Sequence, residues 1–319
     1  MIPSWHCRCA PSWKGTGKTP VEQLYQKKLF LLDIDGTICK GDDLIDGADI
    51  FLETIRKIGG QFIFITNNAT RSTQDYIRFF QCLGVETGPE HYITAAYATI
   101  QHLKKYCEGK LIYGLATDSF LQECQENGIR ITTRLEPGID CVLVSYDNQL
   151  NYEKIKDVCQ LLTQGMPEYI ATNPDLVCPV EFGYLPDCGA ICNMIETATG
   201  KRPYFIGKPE TAMVEYALQL TGCTKAETLV VGDRLYTDIL CGVRAGVDTA
   251  LVLSGEATWQ DAAASTHPPR YLFPSVKELA AELSAPVRNR LDLCQTSMQV
   301  GAMCTRRSET IQQKNFRME

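Results

Sequence analysis

The chain has 319 residues, 45% hydrophobic and 22% charged, with a formal net charge of -7. That length suits about two soluble domains, and the negative balance argues against a polyanion such as nucleic acid as partner. No stretch approaches the roughly 20 apolar residues that cross a bilayer, and Met1 to Pro20 has no signal-peptide core, so the expectation is no membrane partner and a cytoplasmic location.

Residues 1–26 lack periodicity and read as a poorly ordered extension. Within it, Ser12 to Thr19 ends like a nucleotide-binding P-loop. The motif wants glycine at position 12 and a strand before it, and neither is present. Lys28 to Leu32 reads as a buried strand, Ala48 to Ile58 as a helix, Gln61 to Ile65 as a second strand and Thr73 to Leu83 as a helix stopped near Gly84. This alternation predicts a parallel sheet with helices on both faces. Strand-like runs at Leu111 to Tyr113, Cys141 to Ser145 and Tyr169 to Ala171, with helices at Tyr152 to Leu162 and Ala190 to Thr197, predict a second α/β unit. Strands at Tyr204 to Ile206, Thr228 to Val231 and Thr249 to Leu253, with a helix at Thr211 to Leu220, resume the first pattern. The expected organisation is a doubly wound α/β core over 27–95 and 204–284, an inserted α/β domain over 96–203, and a poorly ordered tail over 285–319 with basic spots at Arg288, Arg290, Arg306 and Arg307.

The 15 cysteines mostly sit in apolar or helical patterns, for example Cys82, Cys141 and Cys159, and read as buried reduced thiols. The close pairs are Cys7 with Cys9 and Cys188 with Cys192; a zinc site needs about four convergent ligands, so none is expected. Four histidines occur, and none clusters with a Ser or Cys nucleophile candidate, so triad chemistry is unsupported.

Four short segments each follow an expected strand of the first unit, where open parallel sheets place their sites. Asp33-Ile34-Asp35-Gly36-Thr37 sets two carboxylates at one strand mouth, where like charges resist joint ionisation. One suits a nucleophile or metal ligand and the other a proton donor, although a lone DxD is more often a solvated turn. Thr66-Asn67-Asn68 offers a hydroxyl, amides and backbone N–H groups to phosphate oxygens, or is plain turn chemistry. Gly207-Lys208-Pro209 offers a point charge for phosphate, or a surface lysine. Gly232-Asp233-Arg234, with Asp238 five residues after Asp233, offers the oxygen ligands magnesium prefers; Asp238 alone is equally explained as a helix N-terminal acid.

In this order the four segments resemble the haloacid dehalogenase (HAD) superfamily. The large insert resembles subclass IIA, the NagD-like and 4-nitrophenylphosphatase-like branch. Val144-Ser145-Tyr146-Asp147 with Tyr152 and Lys154 resembles that branch's cap pattern. So do Ala171-Thr172-Asn173-Pro174-Asp175, Gly189-Ala190 and Gly200-Lys201. The resemblance implies a Rossmann-like core with a C2-type cap, and a magnesium-dependent phosphomonoester hydrolase. Asp33 would be nucleophile and metal ligand. Asp35 would be the general acid/base and lend its backbone carbonyl to the metal. Thr66, Asn67 and Lys208 would bind the phosphoryl group, Asp233 would be a metal ligand, and Asp238 would support the metal site. Asn173, Asp175 and the segment Leu176 to Pro186 would read the leaving group of a nucleoside monophosphate or sugar phosphate. That segment lacks the histidine that pyridoxal-phosphate phosphatases tend to carry there. A homodimer through the cap is the expected assembly. The competing readings are a phosphotransferase or phosphomutase, which would have to exclude water from an aspartyl-phosphate, and a non-catalytic phosphate-ligand sensor. The α/β insert disfavours the first, and the presence of Asp33, Asp35, Lys208 and Asp233 the second.

Overall fold

The computed structural model describes residues 23–285, apart from 69–71, 166 and 181. The P-loop-like segment Ser12 to Thr19, the Cys7 and Cys9 pair and the basic tail lie outside the described residues. Fifteen strands follow in chain order: β1 (Leu29–Leu32), β2 (Cys39–Lys40), β3 (Asp43–Leu44), β4 (Gln61–Thr66), β5 (Tyr92–Thr94), β6 (Leu111–Leu115), β7 (Ile131–Thr132), β8 (Ile139–Val144), β9 (Glu168–Ala171), β10 (Val177–Val180), β11 (Gly183–Pro186), β12 (Tyr204–Phe205), β13 (Thr228–Gly232), β14 (Asp248–Val252) and β15 (Tyr271–Phe273). They build a six-stranded sheet in the order β15-β14-β13-β1-β4-β5, a five-stranded sheet in the order β12-β9-β8-β6-β7, and two small hairpins. All pairings within the two large sheets are parallel.

The period-2 rule explains why β1 is wholly apolar. Leu29 and Leu31 face one core cluster, while Phe30 and Leu32 face another. The second cluster is roofed by Phe51, Leu52 and Ile55 of helix Ala48–Lys57, by Tyr76 and Phe80 of helix Thr73–Cys82, and by Leu279 and Leu283 of helix Val276–Ser284. Met213, Val214 and Ala217 of helix Ala212–Thr221 cover the opposite face. The sheet is therefore doubly wound. In the second sheet, Cys141 and Leu143 of β8 face the first cluster, and Val142 and Val144 face a third. Helix Ala95–Tyr106 lies where the sheets meet: Ala95, Ala98, Ile100 and Leu103 belong to the same cluster as Ile63 and Ile112. No helix among the described residues is long and apolar enough to cross a membrane.

Three expectations need correction. Tyr204 to Ile206 does not rejoin the first sheet: Tyr204 and Phe205 pair with Ile170 and Ala171 of β9, at the edge of the second. A three-residue apolar run says nothing about which sheet edge is vacant. Residues 23–26 are not a loose extension, since Leu24 is fully buried and the Tyr25 hydroxyl donates to Glu282 Oε1 at 2.6 Å. Cys82, at the last turn of its helix, is exposed, not buried.

Phe64 is fully buried and stacks on Phe80 at 4.5 Å between ring centroids, with Phe62 at 5.2 Å and Tyr92 at 5.4 Å. Phe64→Ala is expected to lower stability by about 3–5 kcal/mol through lost transfer energy and a residual cavity. The urea midpoint at unchanged slope measures it; a loss under about 1 kcal/mol would contradict the packing described.

Candidate active site

The carboxyl ends of β1, β4, β9, β12 and β13 converge on one cleft. Asp33 leaves β1 with its amide donating to Val231 O at 2.9 Å, and the chain then turns tightly: the Ile38 and Cys39 amides both donate to Ile34 O, at 2.9 and 2.8 Å. Gly36 takes φ 87 in that turn, and a Cβ there would lie 2.5 Å from Asp233 Oδ2. Only glycine meets both conditions. Asp35 lines the same cleft and is partly exposed.

Lys208 is 2% exposed, far from the surface lysine its sequence context allowed. Its Nζ donates to Asp33 Oδ1 at 2.6 Å, to Asp238 Oδ1 at 2.6 Å and to Ile65 O at 3.0 Å. Three partners satisfy the three donors of an ammonium. Burial works to lower its pKa, but the Asp238 and Asp33 carboxylates outweigh it and raise the value. Asn67 holds the Lys208 backbone, accepting from its N–H at 2.8 Å and donating to its carbonyl at 2.9 Å. The same amide donates to Asp175 Oδ2 at 3.1 Å. Asn173 closes the frame by donating from Nδ2 to Asn67 O at 2.8 Å. Thr66 is buried, and its hydroxyl accepts from the Asn68 amide at 3.1 Å. The side chain of Asn67 is thus engaged in placing Lys208 and Asp175.

Asp33, Asp233 and Asp238 are all buried, with carboxylate oxygens within 4.8 Å of one another. Asp238 is held by Lys208 and by the Arg234 amide, which donates to Oδ2 at 3.1 Å. Asp233 Oδ2 accepts from the Glu256 amide at 2.7 Å, while its Oδ1 is buried without a hydrogen-bond partner. Burial, then the Asp238 charge, pushes the Asp233 carboxyl up to about 7. Burial likewise raises Asp33, against the pull of Lys208. With all three carboxylates ionised, one ammonium leaves two negative charges uncompensated. An unpaired carboxylate oxygen and a deficit of two charges fit a divalent cation with oxygen ligands.

Of the residues expected to act together, Asp33, Asp35, Thr66, Asn67, Asp175 and Lys208 line this cleft. Asp233 and Asp238 stand behind it in the carboxylate cluster, and Asn173 supports Asn67 from its backbone side. Cys178, within the segment Leu176 to Pro186 expected to read the leaving group, also lines the cleft, as do Arg234 and Asp187, to which the sequence assigns no role. Arg234 lies 3.8 Å from Asp175 and 2.9 Å from Glu256. Asp187 caps helix Cys188–Thr199, and burial raises its carboxyl to about 6. The spacing of Asp187 in the chain carries no signal, because hairpin β10–β11 brings it over the cleft.

Residues 30–130 match the family model described as haloacid dehalogenase-like hydrolase, and residues 205–279 match a second HAD-hydrolase-like model. The acid sugar phosphatase of Staphylococcus aureus (strain MRSA252) is 34% identical over 258 residues, which is 81% of this chain and 98% of that protein. The crystal structure of 4-nitrophenylphosphatase from Thermotoga maritima is 35% identical with a TM-score of 0.77, covering 82% of this chain and 99% of that one. NagD from E. coli K-12 is 32% identical with a TM-score of 0.72, covering 79% and 98%.

Because the Asp233 carboxyl is raised to about 7, it is protonated below that pH, and its proton competes with a cation. Cation affinity measured by calorimetry is expected to fall up to ~10-fold per pH unit below about 7 and to level off above it. Constant affinity between about pH 6 and 8 would remove Asp233 from the cation site.

Proposed function

The chain belongs to the haloacid dehalogenase-like hydrolases, as a phosphatase of the NagD-like branch, and we propose that it hydrolyses small sugar phosphates with magnesium through a phosphate ester on Asp33. The carrying observation is the buried Lys208 bridge between Asp33 and Asp238, with the unpaired Asp233 Oδ1 in the same cluster. Asp33, Asp233 and the Asp35 backbone carbonyl would hold the metal, and Asp238 would support it. When bound, magnesium supplies positive charge that offsets the repulsion between a carboxylate nucleophile and a phosphoryl group.

The residues then divide the work. A carboxylate oxygen of Asp33 attacks phosphorus, forming an O–P bond as the bond to the leaving oxygen breaks. Lys208, Thr66 and the Asn67 segment hold the phosphoryl oxygens, in a site too dry for charge to be well screened. Asp35, partly exposed at the cleft mouth, gives its proton to the leaving oxygen. It then takes a proton from the water that attacks phosphorus, and Asp33 is released together with inorganic phosphate.

Asp175 favours a leaving group that carries hydroxyls, as a sugar phosphate does. Its Oδ1 is buried without a partner beside the cleft, where it can accept from a substrate hydroxyl. Burying such a group unpaired is costly. The name of the Staphylococcus aureus relative points the same way. The free thiols among the described residues suit a reducing compartment, and we assign the chain to the cytoplasm.

Asp33→Asn is expected to abolish hydrolysis of every ester. Asp35→Asn is expected to lose ~10²–10⁴-fold on an alkyl phosphate, whose leaving alkoxide needs a proton, and much less on 4-nitrophenyl phosphate. Steady-state rates on both esters decide this, and equal losses would exclude Asp35 as the acid. Asp175→Asn should weaken kcat/KM for sugar phosphates by ~10-fold or more while sparing 4-nitrophenyl phosphate. Parallel losses on both substrates would mean that Asp175 only braces the site.

A further inference from the structure

At the end of the second sheet remote from the cleft, three metal-binding side chains meet. Cys107 ends helix Ala95–Tyr106, its amide donating to Leu103 O at 2.8 Å. Cys141 lies on β8, directly opposite Glu168, the first residue of β9. The two thiols and the Glu168 carboxylate place one atom each within 4.8 Å of one another. Asn173, at the cleft, lies five residues beyond Glu168, about 16 Å at strand rise.

The two carboxylate oxygens of Glu168 are used differently. Oε1 accepts from Lys110 Nζ at 2.5 Å, while Oε2 turns toward the thiols and lies 3.4 Å from Cys107 Sγ. Lys110 therefore fixes the carboxylate in an orientation that presents Oε2 inward, as outer partners do for metal ligands. Cys107 and Cys141 are 4% and 0% exposed, while the Glu168 side chain is 52% exposed and leaves a route from solvent.

We propose that Cys107, Cys141 and Glu168 bind a zinc ion that ties helix Ala95–Tyr106 to strands β8 and β9. Thiolate ligands select zinc over magnesium. Tetrahedral ligands at zinc bond lengths stand about 3.5–3.8 Å apart, so the observed cluster needs only a small contraction. Charge closes as well: two thiolates and one carboxylate are balanced by a divalent ion and the Lys110 ammonium. Burial raises both thiols when no ion is bound, and coordination deprotonates a thiol outright, so binding releases two protons. Three protein ligands would leave the fourth tetrahedral position to water, and His102 of helix Ala95–Tyr106 is half-buried. Burial lowers the His102 pKa while the nearby Glu168 carboxylate raises it. This site is absent from the cysteine spacing because its ligands are separated by 34 and 27 residues, and only the β8–β9 register and the packing of helix Ala95–Tyr106 join them.

The test uses the reduced full chain, stripped by chelator and resupplied with saturating magnesium to fill the carboxylate cluster. Cobalt(II) is then titrated as the spectroscopic probe. One equivalent is expected to give the intense visible bands of a tetrahedral ion and a thiolate charge-transfer band, both bleached by zinc. Cys107→Ser and Cys141→Ser should each lose the charge-transfer intensity of their thiolate and bind at least ~10-fold more weakly. The double variant Cys188→Ser/Cys192→Ser should behave as wild type. Zinc at about 100 times its dissociation constant should raise the wild-type Tm by roughly 5 °C or more, and Cys107→Ser should keep its magnesium-dependent phosphatase rate. If a serine variant fails to fold, Glu168→Gln keeps both thiols and must still weaken cobalt binding ~10-fold. The proposal is overturned if no charge-transfer band forms, if the band survives both serine substitutions, or if Glu168→Gln binds cobalt as tightly as wild type.

Discussion

A full positive charge held away from water has to be answered on every donor, and Lys208 is answered on all three: by Asp33, by Asp238 and by the carbonyl of Ile65. Losing one partner of such a buried pair leaves an uncompensated charge, which costs far more than a surface ion pair gains. Much of the surrounding architecture serves this one group. Asn67 grips the Lys208 backbone at both its N–H and its carbonyl. At Gly207 a Cβ would lie 2.6 Å from Asn67 Oδ1 and 2.7 Å from Thr172 O, so only a glycine lets the chain pass. The lysine cancels one of three crowded carboxylates and leaves the cluster short of positive charge by the amount a divalent ion carries.

The two parallel sheets meet at this point with their carboxyl ends turned to the same cleft. β1, β4 and β13 deliver Asp33, Thr66 and Asp233 from the first sheet, and β9 and β12 deliver Asn173 and Lys208 from the second. Asn67 and Arg234 reach across to Asp175. The reactive cluster therefore spans both sheets, and the shared apolar cluster around helix Ala95–Tyr106 holds them together. Hairpin β10–β11 stands apart from that core: Phe182 and Tyr184 are exposed, and Val177 and Cys178 form a wall of the cleft. A rigid floor and a projecting wall suit an enzyme that holds a common phosphoryl group and reads variable leaving groups.

The residues and the fold were unequally legible. Asp33, Asp35 and Asp233 stand out because they follow apolar runs that read as buried strands, and Lys208 because it sits at a strand-to-helix turn beside a proline. The helices Ala48–Lys57 and Tyr152–Gln164 were visible from their 3.6-residue apolar spacing. Helix Ala95–Tyr106 escaped notice because it is buried toward both sheets, which blurs a one-sided stripe. Hairpin β10–β11 is not legible because runs of four residues carry too little periodicity, whereas the run at Tyr204 to Ile206 reads as a strand without saying which sheet it joins.

The amino-acid order alone determined the α/β class, the parallel sense of the core sheet and the strand ends that carry carboxylates and lysine, since those depend on local periodicity and on which polar residue follows an apolar run. Only the tertiary structure decided that β12 completes the second sheet, that Lys208 is buried between Asp33 and Asp238, that Asp233 keeps one oxygen unpaired, and that Cys107, Cys141 and Glu168 converge. Each of these depends on contacts between residues 23 or more positions apart. Distance along a chain has no bearing on distance in space until the sheets pair, so no local pattern could have announced them.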